Sequence, residues 1–287
     1  MSVKDEANRG PPWRALGSRL GADLWPRVGP AVAMGLAALV IAWIGGFFFV
    51  AFWWIASVVV LWEWQRIVQR DRLIERVGVG SLALAVAALF AMHGYALAAT
   101  ATLVVGAAAV SWVASPAAQA WSAAGAFYAG ALVVSLGLLR ASPSYGLPAI
   151  LWLFAVVWGT DVAAYFAGRL IGGPKLWPSV SPGKTWSGAV AGAFAGAAFG
   201  LFLFRWADRV DSLFWLGFVA AVVSELGDLF ESALKRRFGV KDSSRLIPGH
   251  GGLMDRLDGF IAASAFAAVF AVANTKGSFI ASGLFRW

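Results

Sequence analysis

Asp228 and Asp255 bracket DLFESALKRRFGVKDSSRLIPGHGGLMD, a charge-dense stretch set between apolar runs. Carboxylates beside lysines, arginines, a histidine and a glycine-rich turn are the parts of a site for polyanions. Glu225, Asp228 and Glu231 stand three apart, so on a helix they share one side. Asp255 and Asp258 repeat that spacing after Gly251-Gly252. Hard carboxylate oxygens suit Mg²⁺, which keeps one or two protein carboxylates and takes its other ligands from phosphates and water. Asp228 and Asp255 are the candidate metal pair, brought together by closure of the loop between them. Pro248-Gly249-His250-Gly251-Gly252 can expose consecutive backbone N–H groups ahead of a helix start, a phosphate-binding arrangement. His250 adds a hydrogen-bonding group for phosphate, and Lys235, Arg236, Lys241, Arg245 and Arg256 add positive charge.

A second element, SVSPGKTWSG (Ser179–Gly188), offers Ser181, Lys184 and Thr185. It lacks the full spacing of a nucleotide phosphate loop and follows no predicted strand. Asp161 lies in VWGTDVAAYFAGRL, where an ionisable group is costly and normally faces a bundle interior or a watery cavity. Taken singly, these features have plain readings. A basic run marks topology, a buried aspartate holds two helices together, and a row of acids lines an ion path. Converging on one face of a membrane, they make a polyanion site.

The elements that must carry these groups follow from composition. The chain has 287 residues, 60% hydrophobic and 13% charged, with a mean hydropathy of +0.74. Soluble domains hold about 45–50% apolar and about 25% charged residues, so the solvent for this surface is lipid. The pI of about 10.3 then points to topology signals and anionic headgroups, with no nucleic acid as partner. With no cysteine, disulfides, thiol catalysis and Cys-bound metals are excluded.

About nine apolar spans are expected: Val28–Ile44, Phe47–Leu61, Val77–Met92, Leu97–Val113, Trp121–Leu139, Leu147–Gly168, Ala189–Phe204, Phe214–Phe230 and Phe260–Ala273. The fold class is therefore all-α, a polytopic helical membrane bundle. A cytosolic N-terminus places most of the 23 basic residues inside, as the positive-inside rule requires. The chain divides into a basic cytosolic tail (1–27), N-terminal membrane helices (28–140) and catalytic membrane helices with cytosol-facing loops (141–287). The first half carries little chemistry: Glu63 and Arg66 are spaced to pair, and His93 is structural. Trp53, Trp54, Trp62 and Trp64 are packing or interface residues.

SALKRRFGVKDSSRLIPGHGGLMDRLDG (Ser232–Gly259) resembles the signature of the phosphatidate cytidylyltransferase (CDP-diacylglycerol synthase) family. The S-x-x-K-R start, the K-D pair, the P-G-H-G-G turn and the D-R-x-D end occur in order. SPGKTWSG and DVAAYFAGR resemble two further family segments, so the likeness runs from about Trp158 to Gly259. It implies a dimeric integral membrane enzyme that takes CTP and phosphatidate as substrates. The products are CDP-diacylglycerol and pyrophosphate. Mg²⁺ is implied, with K⁺ as a possible second cation. By motif position Asp228 and Asp255 match metal ligands, while Lys235, Arg236, Lys241, His250 and Arg256 match the basic positions. Ser187 stands where the family usually has an acid. The composition suggests a bacterial cytoplasmic membrane. A CTP-dependent lipid-alcohol kinase and an ion-coupled transporter are the competing readings.

Overall fold

The computed structural model describes residues 29–30, 32–204, 210–247, 249, 251–276 and 279–285. The expected tail at 1–27 and two members of the glycine-rich turn, Pro248 and His250, lie outside the described residues. Among the described residues nine helices follow in order: α1 (Val32–Ile44), α2 (Gly46–Val68), α3 (Leu73–Met92), α4 (Ala96–Val113), α5 (Gln119–Arg140), α6 (Gly146–Leu170), α7 (Trp186–Leu203), α8 (Val210–Arg237) and α9 (Met254–Asn274). A 3₁₀ segment, Ile280–Leu284, follows α9. Among the described residues eight helices are long and apolar enough to cross a bilayer, and α1 is shorter. Each expected span overlaps one of these helices, and several run on into flanking polar residues, as α2 does to Val68 past Glu63, Gln65 and Arg66.

Lipid offers no hydrogen bonds, so each spanning segment must satisfy its backbone internally, which selects helices. The central one is α5, whose residues from Leu132 to Leu139 are all buried. It packs against α2, α3, α4 and α9, while α6, α7 and α8 form a second group. Gly188, Gly192, Gly196 and Gly200 recur every fourth residue on α7 and let it approach α6. A Cβ at Gly196 would sit 2.8 Å from the Val156 carbonyl oxygen, and one at Gly188 2.8 Å from that of Ala164. Small residues at this spacing are how membrane helices achieve close contact.

Among the described residues one strand pair departs from all-α. Lys175–Trp177 (β1) and Ser181–Thr185 (β2) pair as an antiparallel hairpin between α6 and α7. The SPGKT segment, expected to follow no strand, is itself a strand. Gly172 and Gly173, both at positive φ, turn the chain out of α6 into it. Ser187 then ties the hairpin down: its hydroxyl donates to the Gly172 carbonyl and lies 3.1 Å from Thr185 Oγ1.

Candidate functional site

A cavity of about 1460 Å³ opens among α1, α2, α6, the hairpin, α8 and α9. Its wall has two characters. Ala38, Ile55, Ala56 and Val59 make an apolar chamber on α1 and α2. Lys184, Glu225, Asp228, Asp255, Arg256 and Asp258 crowd the other end. Aromatic rings line the route between them. Trp53 of α2 stacks on Phe260 of α9 at 5.5 Å, Phe260 on Phe154 of α6 at 5.1 Å, and Phe154 on Trp158 at 4.9 Å.

Of the residues picked from the sequence, Asp161, Lys184, Thr185, Asp228, Lys235, Asp255 and Arg256 share this wall. Lys184 at the end of β2 pairs with Asp228 of α8 at 2.6 Å, and their side chains are 26% and 37% exposed. Asp161 of α6 interacts electrostatically with Asp228, Lys184 and Arg256. Lys235 lies one turn beyond Glu231 on α8, 2.7 Å from it and 2.8 Å from Asp255 of α9. A single ammonium thus joins two helices through two carboxylates.

Asp255 is the more heavily engaged aspartate. Besides Lys235, its carboxylate accepts the Ser243 N–H at 3.1 Å and the Gly252 N–H at 2.8 Å. The Gly252 amide expected to meet phosphate is therefore turned onto Asp255. Gly249 and Gly251 adopt positive φ, 75° and 83°, conformations that glycine reaches without strain. They shape a tight turn closed by the Ile247 N–H donating to the Gly251 carbonyl at 2.9 Å. Gly252 is buried where a Cβ would overlap the Ser243 hydroxyl and the Glu63 carboxylate. Gly252→Ala should therefore destabilise by about 1–3 kcal/mol through overpacking. Both the thermal midpoint and turnover should fall; an unchanged midpoint would show that the neighbours yield freely.

Ser181, Arg236, Lys241, Gly249 and Gly251 lie off the cavity wall. The Arg236 Nε donates to the Val180 carbonyl at 3.4 Å, bracing the hairpin against α8, and Lys241 is exposed. Thr185 serves as N-cap of α7, its hydroxyl accepting the Gly188 N–H at 3.2 Å.

The first half holds a residue that spacing misplaced. Glu63 turns into the core, fully buried, and accepts from Ser244 Oγ at 2.5 Å, Met254 N at 2.6 Å, Leu253 N at 2.9 Å and Ser243 Oγ at 3.2 Å. Arg66 instead lies over the Trp62 ring, 5.3 Å from its centre. The only sequence signal for Glu63 was its acidity within an apolar run. Nearby, Arg76 is also buried and bonds to Gln65 and Ser122.

Among the described residues no three acids or histidines close a metal cage. Mg²⁺ does not require one, because phosphates and water complete its shell. Asp161, Glu225, Asp228 and Asp258 put hard oxygens along one side of the cavity. Glu225 Oε1 is buried without a hydrogen-bond partner among the described residues, in room left by Gly192. This donor set fits a hard divalent cation brought in with phosphates.

A model of the cytidylyltransferase family matches residues 25–273. The chain belongs to that family. It is 40% identical over 261 residues to the phosphatidate cytidylyltransferase of Brucella suis, covering 87% of this chain and 95% of the relative. The phosphatidate cytidylyltransferase of Haemophilus influenzae is 40% identical over 151 residues, 50% of this chain and 52% of its own length. That of Staphylococcus saprophyticus is 47% identical over 121 residues, 41% of this chain and 46% of its own. The matched family region runs from before α1 to the last turn of α9, so it includes every residue placed on the cavity wall.

Proposed function

We propose that this cytidylyltransferase takes CTP and phosphatidate and releases CDP-diacylglycerol and pyrophosphate. The observation that carries the reading is the division of one cavity into an apolar chamber and a charged end. An amphiphile with a phosphate head matches that division: acyl chains lie along α1 and α2, and the head meets the lysines and arginine. CTP enters at the charged end.

Both substrates are polyanions that repel each other. Lys184, Lys235 and Arg256 offset that charge and orient the phosphates, where positioning and electrostatic stabilisation supply most of the catalysis. A phosphatidate oxygen bonds to the α-phosphorus of CTP. The bond from that phosphorus to the bridging oxygen breaks, and its electron pair leaves with pyrophosphate. A phosphate monoester has a second pKa near 6, so the nucleophile is already an anion at neutral pH and needs no strong base.

Asp228, the more open of the two aspartates, would hold Mg²⁺ together with Asp255, whose carboxylate would give up part of its present hydrogen bonding to do so; the ion would supply charge neutralisation at the nucleotide phosphates. K⁺ is the second cation. His250 hydrogen-bonds phosphate. The basic-residue bias supports nine crossings with the N-terminus and the charged end on the cytosolic side of a bacterial inner membrane. Residues 28–140 frame the site and 141–287 carry its chemistry, and the working unit is a homodimer.

Purified protein given CTP, phosphatidate and Mg²⁺ should yield pyrophosphate and CDP-lipid in equal amounts. Release of CDP with a phosphorylated lipid alcohol would instead establish a kinase. Replacing K⁺ with a bulky organic cation, and crosslinking in membranes, test the second cation and the dimer.

A further inference from the structure

We infer that Glu63 of α2 is a positioning residue for catalysis, holding the first turn of α9 in register with α8. The inference rests on the cytidylyl-transfer reading above. Glu63 is off the cavity wall and bears on it through Leu253, whose N–H it accepts. Its four hydrogen-bond partners all belong to the charge-dense segment. Leu253 is the N-cap of α9 and Met254 its first residue. The first N–H groups of a helix have no partner within it, and negative charge is favourable at that end. Glu63 supplies both, from a helix 190 residues earlier.

The same carboxylate takes the hydroxyls of Ser243 and Ser244. Ser243 in turn donates its N–H to Asp255, and Asp255 receives Lys235. A continuous chain of hydrogen bonds therefore runs from α2 through the loop to α9 and on to α8. The turn it fixes bears Asp255, Arg256 and Asp258, all on the cavity wall. Displacing such groups by about 1 Å can cost roughly a hundredfold in rate.

The test compares wild type, Glu63→Gln and Ser244→Ala in detergent, measuring thermal midpoint, kcat and the KM for CTP across a Mg²⁺ series. Glutamine keeps the shape but turns an NH₂ toward groups that themselves donate. Per folded molecule, kcat should fall roughly 30- to 100-fold in Glu63→Gln, and the Mg²⁺ concentration for half-maximal rate should rise. Ser244→Ala, which removes one of four donors, should move both in the same direction by less. A Glu63→Gln protein that loses rate only in proportion to its unfolded fraction, with wild-type KM and Mg²⁺ requirement, overturns the inference. Should that variant not fold, wild-type values in Ser244→Ala overturn it. A folded wild-type enzyme that forms no CDP-lipid overturns the underlying reading instead, and the inference with it.

Discussion

Asp228→Asn should lower kcat/KM by about a thousandfold while leaving the thermal midpoint close to that of wild type. The two halves of that expectation have separate causes. The side chain is 37% exposed and pairs with a partly exposed lysine, and such pairs contribute little to stability. Asparagine keeps the volume and one oxygen. What it removes is the charge proposed to hold Mg²⁺ and with it the alignment of the nucleotide phosphates. Raising Mg²⁺ should recover part of the rate. Normal Mg²⁺-dependent turnover in the variant would remove Asp228 from the metal assignment, and unfolding would show that the aspartate is structural.

Lys235→Met should do the opposite to stability. Glu231 is completely buried, and its 2.7 Å contact to Lys235 is an ion pair with 0% exposure on the acid side. Breaking a buried pair by deleting one partner costs about 3–5 kcal/mol, because a carboxylate is left uncompensated. Asp255 loses a donor in the same step. Thermal unfolding in detergent should therefore shift clearly downward, and turnover should drop by about a hundredfold or more as a phosphate-binding charge disappears. The double variant Glu231→Gln/Lys235→Met separates the effects: it should recover most of the stability and none of the activity. Recovery of activity in the double variant would reduce Lys235 to a counter-ion for Glu231.

The apolar spans and the charge-dense segment could be read from residue type and spacing, because lipid imposes the first and a polyanion ligand the second. Asp161, Lys184, Asp228 and Asp255 line one cavity. The parts that spacing could not reach depend on long-range geometry. Glu63 and Arg66 are neighbours on a helix surface, yet the rotation of α2 in the bundle buries one and leaves the other against Trp62. Asp255 is a candidate metal ligand by residue type, and the hydrogen bonds around it are what spacing could not show. Positive-φ glycines fold the preceding turn so that backbone N–H groups meet its carboxylate. Thr185 lies on the cavity wall and also caps α7, because a threonine just before a helix satisfies an otherwise unpaired N–H, a use that phosphate chemistry alone does not suggest.

The clamp between Glu63 and the start of α9 also dictates when the enzyme can exist during its own synthesis. Glu63 leaves the ribosome 180 residues before Ser243, the first of its four donors, and 191 before Met254, the last. α8 is better provided, because Glu231 and Lys235 are one turn apart and neutralise each other within the helix. The first acid must wait for the last helix. A chain released before α9 would lack the two backbone donors at the start of that helix and Asp255 with them, so the buried carboxylate is fully satisfied only once the last helix is in place.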